Sequence, residues 1–97
     1  MMKCDFCGST SVTWSYPARD FAIEHLMAGS LGAWAACDVC HDIIERGDRS
    51  ALTRHTVDSL PWIAGVTDPV RHAITEEIRA IHAEFFARRD GEAEPIV

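Results

Sequence analysis

The sequence has no asparagine, a single lysine and no apolar segment long enough to cross a membrane. Its uncharged runs, such as residues 26–37, fall well short of the roughly 20 residues that a membrane-spanning helix needs. The first nine residues, MMKCDFCGS, lack the apolar segment of an export signal. We therefore expect a cytoplasmic protein with no membrane association, in a compartment where thiols stay reduced.

Basic residues are also scarce, which argues against a protein that coats nucleic acid. Fifteen acidic residues outnumber nine basic ones, and the formal net charge is −6. Proteins that hold nucleic acid through its phosphates usually carry a surplus of Lys and Arg. The longest basic run here is Arg88-Arg89. The preference for Arg over Lys is typical of GC-rich bacterial or phage genomes.

The first half of the chain carries strand patterns. Val12, Trp14 and Tyr16 alternate with Ser and Thr, which is the period-2 pattern of a half-buried strand, and Pro17 ends it. Residues 21–23 and 33–37 are candidates for two further short strands. With 97 residues the chain is long enough for one domain only.

The second half is predicted to be helical. A first helix begins at Asp38 and ends at Gly47, a residue suited to the C-terminal cap. Asp48 is placed as the N-cap of a second helix that ends near Pro61. We assign residues 1–47 to one module and residues 48–90 to a helical region packed on it.

A long third helix is predicted from Asp68, as N-cap, and Pro69 to about Arg89. Apolar residues recur along it every three or four positions, forming a continuous stripe: Val70, Ile74, Ile78, Ile81 and Phe85. Neighbouring positions on a helix point about 100° apart, so either Phe85 or Phe86 should leave this stripe and could contact another chain. We interpret residues 91–97 as a flexible tail.

The four cysteines form the most specific pattern in the sequence. Cys4 and Cys7 are separated by two residues and precede Gly8; Cys37 and Cys40 repeat this spacing after a long spacer. Two such pairs can complete the tetrahedral shell of one zinc ion and leave no open coordination position, as in structural sites. We therefore predict one structural Zn²⁺ held by Cys4, Cys7, Cys37 and Cys40. An iron–sulfur cluster and simple reduced thiols are the alternatives.

The string CDVCH, residues 37–41, also matches the attachment signature of a covalent haem. That reading requires His41 as an axial ligand and export from the cytoplasm, and it leaves Cys4 and Cys7 without a role. We therefore do not favour haem. Whether His41 or His25 touches the metal site stays open. The other histidines, His55, His72 and His82, are interpreted as surface residues.

The segments CDFCG and CDVCHDIIERG, with strands between them, resemble treble-clef zinc fingers and, more loosely, zinc ribbons. The resemblance covers residues 4–47. It implies an α+β fold in which a small zinc finger is followed by two helices, the last one long and amphipathic. Treble-clef fingers host many functions, so the scaffold alone does not identify one.

Two enzyme classes with such cysteine pairs are not matched. HNH nucleases, some of which are built on a treble clef, need a His base with further His or Asn ligands, and this chain has no Asn. Zinc deaminases need His-x-Glu before Pro-Cys-x-x-Cys, whereas here Glu24 precedes His25 and Ala36 precedes Cys37. We expect a protein that is not an enzyme.

The function we favour is a zinc-stabilised interaction or adaptor module, such as a small regulator of a larger protein machine. Its partner would be another protein or a second copy, bound through the helical half. The alternative is a nucleic-acid-binding zinc finger that uses a local basic patch: Lys3, Arg19, Arg46, Arg49 and Arg54.

Overall fold

The computed structural model describes residues 3–19, 21–23, 28–30 and 33–96, with side chains outside 21–23 and 28–30. It has the α+β architecture that the sequence predicts. The elements in chain order are β1 Val12–Tyr16, β2 Phe21–Ile23, β3 Ala28–Ser30, β4 Trp34–Cys37, α1 Asp38–Glu45, α2 Arg49–Asp58, a 3₁₀ turn Ile63–Gly65, α3 Asp68–Arg88 and β5 Glu94–Pro95.

The main sheet is antiparallel, with strand order β4-β1-β5. β1 pairs with β4 from Val12 opposite Cys37 to Tyr16 opposite Trp34, with an irregularity near Val12. β2 and β3 form a separate two-stranded antiparallel sheet. The alternating pattern of β1 thus corresponds to a strand, and its pairing brings Cys37 back towards the beginning of the chain.

β5 is a strand that the sequence pattern does not predict. It lies within the segment interpreted as a flexible tail, and it pairs Pro95 with Trp14 and Glu94 with Ser15. The Ile96 amide donates to the Thr13 carbonyl at 2.9 Å. A proline has no amide hydrogen to give to a further strand, so Pro95 suits the edge of a sheet.

The helix boundaries follow the predicted capping residues, with one exception. Gly47 has φ 72° after α1, and Asp48 caps α2 by accepting a hydrogen bond from the Ala51 amide at 3.0 Å. Before α3, the N-cap is Thr67, so Asp68 is the first helical residue and not the cap. Pro69 still occupies the first turn, where its missing amide hydrogen costs nothing.

The core is a cluster of aromatic rings where α3 meets the cysteine-bearing half of the chain. The Phe6 ring centroid lies 5.1 Å from that of Trp34 and 5.0 Å from that of Phe85. Tyr16 and Phe85 have no exposed surface. The C-terminal half of α3 therefore packs directly against the segment that carries Cys4 and Cys7.

The apolar stripe of α3 is buried at its C-terminal end only. Phe85 is fully buried, whereas 47% of Val70 is exposed. His82, interpreted from the sequence as a surface residue, is 4% exposed, because it lies on the same helical face as Phe85. None of the helices within the described ranges is both long and apolar enough to span a membrane.

Candidate metal centre

The first cysteine pair lies in a tight turn at the start of the chain. The Gly8 amide donates to the Cys4 carbonyl at 2.9 Å, and the Cys7 amide points at the Cys4 sulfur at 3.5 Å. Gly8 adopts φ 79°, a left-handed conformation that glycine tolerates better than other residues. The Cys4 amide donates to the Ser9 carbonyl at 2.7 Å and closes the turn.

The second pair lies at the junction of β4 and α1. Cys37 ends the strand and is the N-cap of the helix, and its sulfur accepts from the Cys40 amide at 3.5 Å. Cys37 and Cys40 are therefore held by regular structure on both sides.

Asp5 joins the turn to the strand, a role that no motif in the sequence indicates. Its carboxylate accepts from the Ala35 amide at 2.6 Å, and its own amide donates to the Ala35 carbonyl at 2.8 Å. Desolvation raises the pKa of the Asp5 carboxyl. These two hydrogen bonds join residues that are 30 positions apart, and they place the first cysteine pair beside the second.

All four sulfur atoms lie within 4.8 Å of one another. The Cys7 and Cys37 sulfurs are 3.6 Å apart, while zinc–thiolate bonds of about 2.3 Å place tetrahedral ligands roughly 3.8 Å apart. Cys4, Cys37 and Cys40 are buried and Cys7 is half-buried. The four cysteines are thus positioned to bind one metal ion.

The protonation of the thiols shows why this arrangement suits a cation. The hydrogen bond from Cys40 lowers the pKa of Cys4 to about 4, and the same bond raises the pKa of Cys40. Burial raises the pKa of Cys7 to about 11. One thiolate therefore disfavours the ionisation of its neighbours, and all four can ionise together when a metal ion lies among them.

His41 does not belong to this cluster. Its ring stacks on Trp14 with centroids 3.8 Å apart, and its Nδ1 forms a 2.8 Å hydrogen bond with the Tyr16 hydroxyl. The Tyr16 hydroxyl also donates to Glu45, and burial raises the pKa of that hydroxyl. His41 therefore fastens α1 to β1. His25 lies outside the described residues.

His55 approaches the cysteines although it was interpreted as a surface residue. It lines a cavity of about 500 Å³ together with Cys7 and Cys37. Its side chain is half-buried, and its Nε2 has no hydrogen-bond partner within the described part of the chain. It is separated from Cys37 by 18 positions, so no local sequence motif could have indicated this proximity.

The five residues of the predicted basic patch are distributed over several elements. Arg49 and Arg54 line adjoining cavities between α2 and α3. Arg19 instead donates to the Ala87 carbonyl at 3.3 Å, and Lys3 and Arg46 line neither cavity. Two members of the patch therefore share one surface with other arginines.

Comparison with known proteins gives no further guide to function. No family model matches the chain, and no curated protein or solved structure matches it significantly.

Proposed function

We propose that the protein is a non-enzymatic module, stabilised by one zinc ion, whose helical half binds a protein partner. The observation that supports the zinc site is the convergence of four thiols, with no other ligand type in the cluster among the residues that the structure describes. Soft thiolates favour zinc over magnesium or calcium, and four protein ligands leave no coordination position for a substrate. This donor set supports a structural ion. The position of Cys37 and Cys40 at the start of α1 is what supports a treble-clef type of finger.

Purified protein is expected to contain one zinc ion per chain, because the cysteines offer one tetrahedral set of ligands. Elemental analysis of protein prepared without added metal measures this ratio. Visible absorption with stoichiometric iron would instead indicate an iron–sulfur cluster. Protein that contains no tightly bound metal would contradict the proposal.

The partner-binding half of the proposal depends on an exposed apolar groove beside the first half of α3. The groove has a volume of about 530 Å³, and Glu77 is its one polar residue among those described. Trp62 is 54% exposed and Val70 47%. We define the apolar groove by its main lining residues: Leu60, Trp62, Pro69, Val70, Ile74 and Ile78. Contiguous apolar surface of this kind often marks a site of protein association.

A groove formed along a helix fits an amphipathic segment whose apolar side chains enter it. The groove lies at the end of α3 away from Phe85, where the helix leaves the aromatic core. A bound partner would therefore complete the burial of the apolar stripe that the chain itself leaves partly exposed. Zinc would act at a distance from this surface by fixing the half of the protein on which α3 packs.

Replacing Ile74 by glutamate is expected to weaken partner binding by at least about tenfold, because a charge in the groove would lose its hydration on complex formation. Sedimentation velocity over a range of protein concentrations measures association with a second copy. Binding to a candidate partner is measured by titration calorimetry with the wild type and the variant.

His72→Glu serves as the matched control, because His72 is exposed on the same helix and does not line the groove. The control variant should associate as the wild type does. Equal affinities for the wild type and Ile74→Glu would remove the groove from the proposal. A wild type that stays monomeric and binds no protein would overturn the proposed interaction.

A further inference from the structure

Two adjoining cavities between α2 and α3 concentrate basic side chains in an acidic protein. Their volumes are about 290 and 320 Å³, and Ser50, Thr53 and Arg79 line both. We call the two cavities together the α2–α3 groove. Half of the eight arginines of the chain line it: Arg49, Arg54, Arg71 and Arg79.

The charges of these arginines are only partly balanced. Arg71 pairs with Asp58, and Arg79 pairs with Glu76 at 2.5 Å, but all four side chains are 40–54% exposed. Exposed ion pairs are weak and exchange their partners readily. The other two arginines form no ion pair within the described part of the chain, and no described acidic residue lines either cavity. The groove is therefore suited to an anion.

A buried histidine forms part of the wall of the first cavity. His82 is 4% exposed, and its Nδ1 has no hydrogen-bond partner among the described residues. Burial lowers the pKa of His82 to about 4, so the ring is neutral at neutral pH and carries one N–H. The imidazole of His82 therefore adds a neutral polar side chain to the wall of the first cavity.

The remaining groups of the groove match a phosphate group. Arg49 and Ser50 are the first two residues of α2, a ten-residue helix whose N-terminus carries partial positive charge. The Arg49 guanidinium lies 4.3 Å from the centre of the Phe86 ring, which holds it at the wall of the groove. Guanidinium groups and hydroxyls are frequent phosphate ligands.

We propose that the α2–α3 groove binds the phosphate group of a small phosphorylated molecule. The two cavities have the size of a small-ligand site and not of a long track for a polymer. The net charge of −6 also disfavours a polyanion, whose many phosphates would meet the acidic surface outside the groove. This site uses neither the cysteines nor the apolar groove.

The test is a titration of the full chain with inorganic phosphate and with adenosine monophosphate, at low and constant ionic strength. Both ligands are expected to produce saturable shifts of the Ser50 and Thr53 amide signals in NMR spectra. Equal affinities would show that the phosphate group alone is recognised, and tighter binding of the nucleotide would show that its organic part adds contacts. Absence of saturable binding by both ligands overturns the proposal.

Arg79→Gln and Arg49→Gln are expected to weaken phosphate binding by about tenfold each, because each removes a charged hydrogen-bond donor. Arg88→Gln is the matched control: Arg88 lies on α3, pairs with Glu84 and lines neither cavity. Unfolding midpoints close to that of the wild type establish that the variants are folded.

Unchanged binding in both groove variants, or an equal loss in the control, overturns the proposal. An oligonucleotide that binds when neither small molecule does would also overturn it and favour nucleic acid.

Discussion

Replacing Cys7 by serine is expected to unfold most of the protein at room temperature. The total stability of a small domain is on the order of 5–15 kcal/mol, and a structural zinc ion contributes roughly 10 kcal/mol to the folding of small zinc domains. Loss of one thiolate weakens the binding of the ion and therefore removes a large part of this stability. Circular dichroism during thermal unfolding, with zinc present, measures the loss.

Cys7 is the informative position because its side chain is only half-buried, whereas Cys40 has no exposed surface. A serine at residue 40 would also place a hydroxyl in the core, and that cost would be mixed with the loss of the ion. Ser11→Ala, at an exposed position near the same turn, is the control and should unfold like the wild type.

A chelator separates the loss of the ion from other effects of the Cys7 substitution. Chelation should destabilise the wild type and the Ser11→Ala control to the level of the Cys7→Ser variant, and should change the variant little. A Cys7→Ser protein that keeps the melting temperature and the chelator response of the wild type would rule out a stabilising four-cysteine zinc site.

The parts of the fold that the sequence predicted depend on local patterns. The alternation of Val12, Trp14 and Tyr16 identifies β1, and Asp48 marks the start of α2. The spacing of each cysteine pair is also local, since two residues between thiols are enough to place both on one side of an ion. That the two pairs meet could be inferred from chemistry, because zinc needs four ligands.

The contacts that assemble these pieces are long-range, and the sequence does not show them. The Asp5 carboxylate finds the Ala35 amide 30 positions away, and β5 adds only two residues at the edge of the sheet. Nothing in the residues around Asp5 indicates that its carboxylate will accept a hydrogen bond from an amide far along the chain. A two-residue strand that contains a proline has no period by which to recognise it.

The burial of residues along α3 is a second property that the sequence does not fully predict. The apolar stripe gives the face of the helix, but it does not give the length over which that face is covered. As a result, Val70 lies on the predicted face and is exposed, while the polar residue His82 is buried beside Phe85. Which part of the stripe is covered depends on where the aromatic core ends, and that follows from the position of Phe6 and Trp34.

Replacing Phe85 by alanine is expected to lower the free energy of unfolding by about 3–5 kcal/mol, since the ring is fully buried and leaves a large cavity. The Phe85 ring meets Phe6, Tyr16 and Trp34 at centroid distances of 5.0 to 5.6 Å. The substitution therefore removes contacts to the cysteine turn, to β1 and to β4 together. Urea unfolding followed by tryptophan fluorescence measures the loss.

Phe86→Ala is the matched control, because Phe86 is the next residue of the same helix but only half-buried, and it should cost about 1 kcal/mol. Equal losses for the two variants would contradict the central position of Phe85.

Phe6 lies between Cys4 and Cys7, so the loss of its partner ring should also loosen the first cysteine pair. We therefore expect Phe85→Ala, and not Phe86→Ala, to release zinc at a lower chelator concentration than the wild type, because folding of the core and binding of the metal position the same turn.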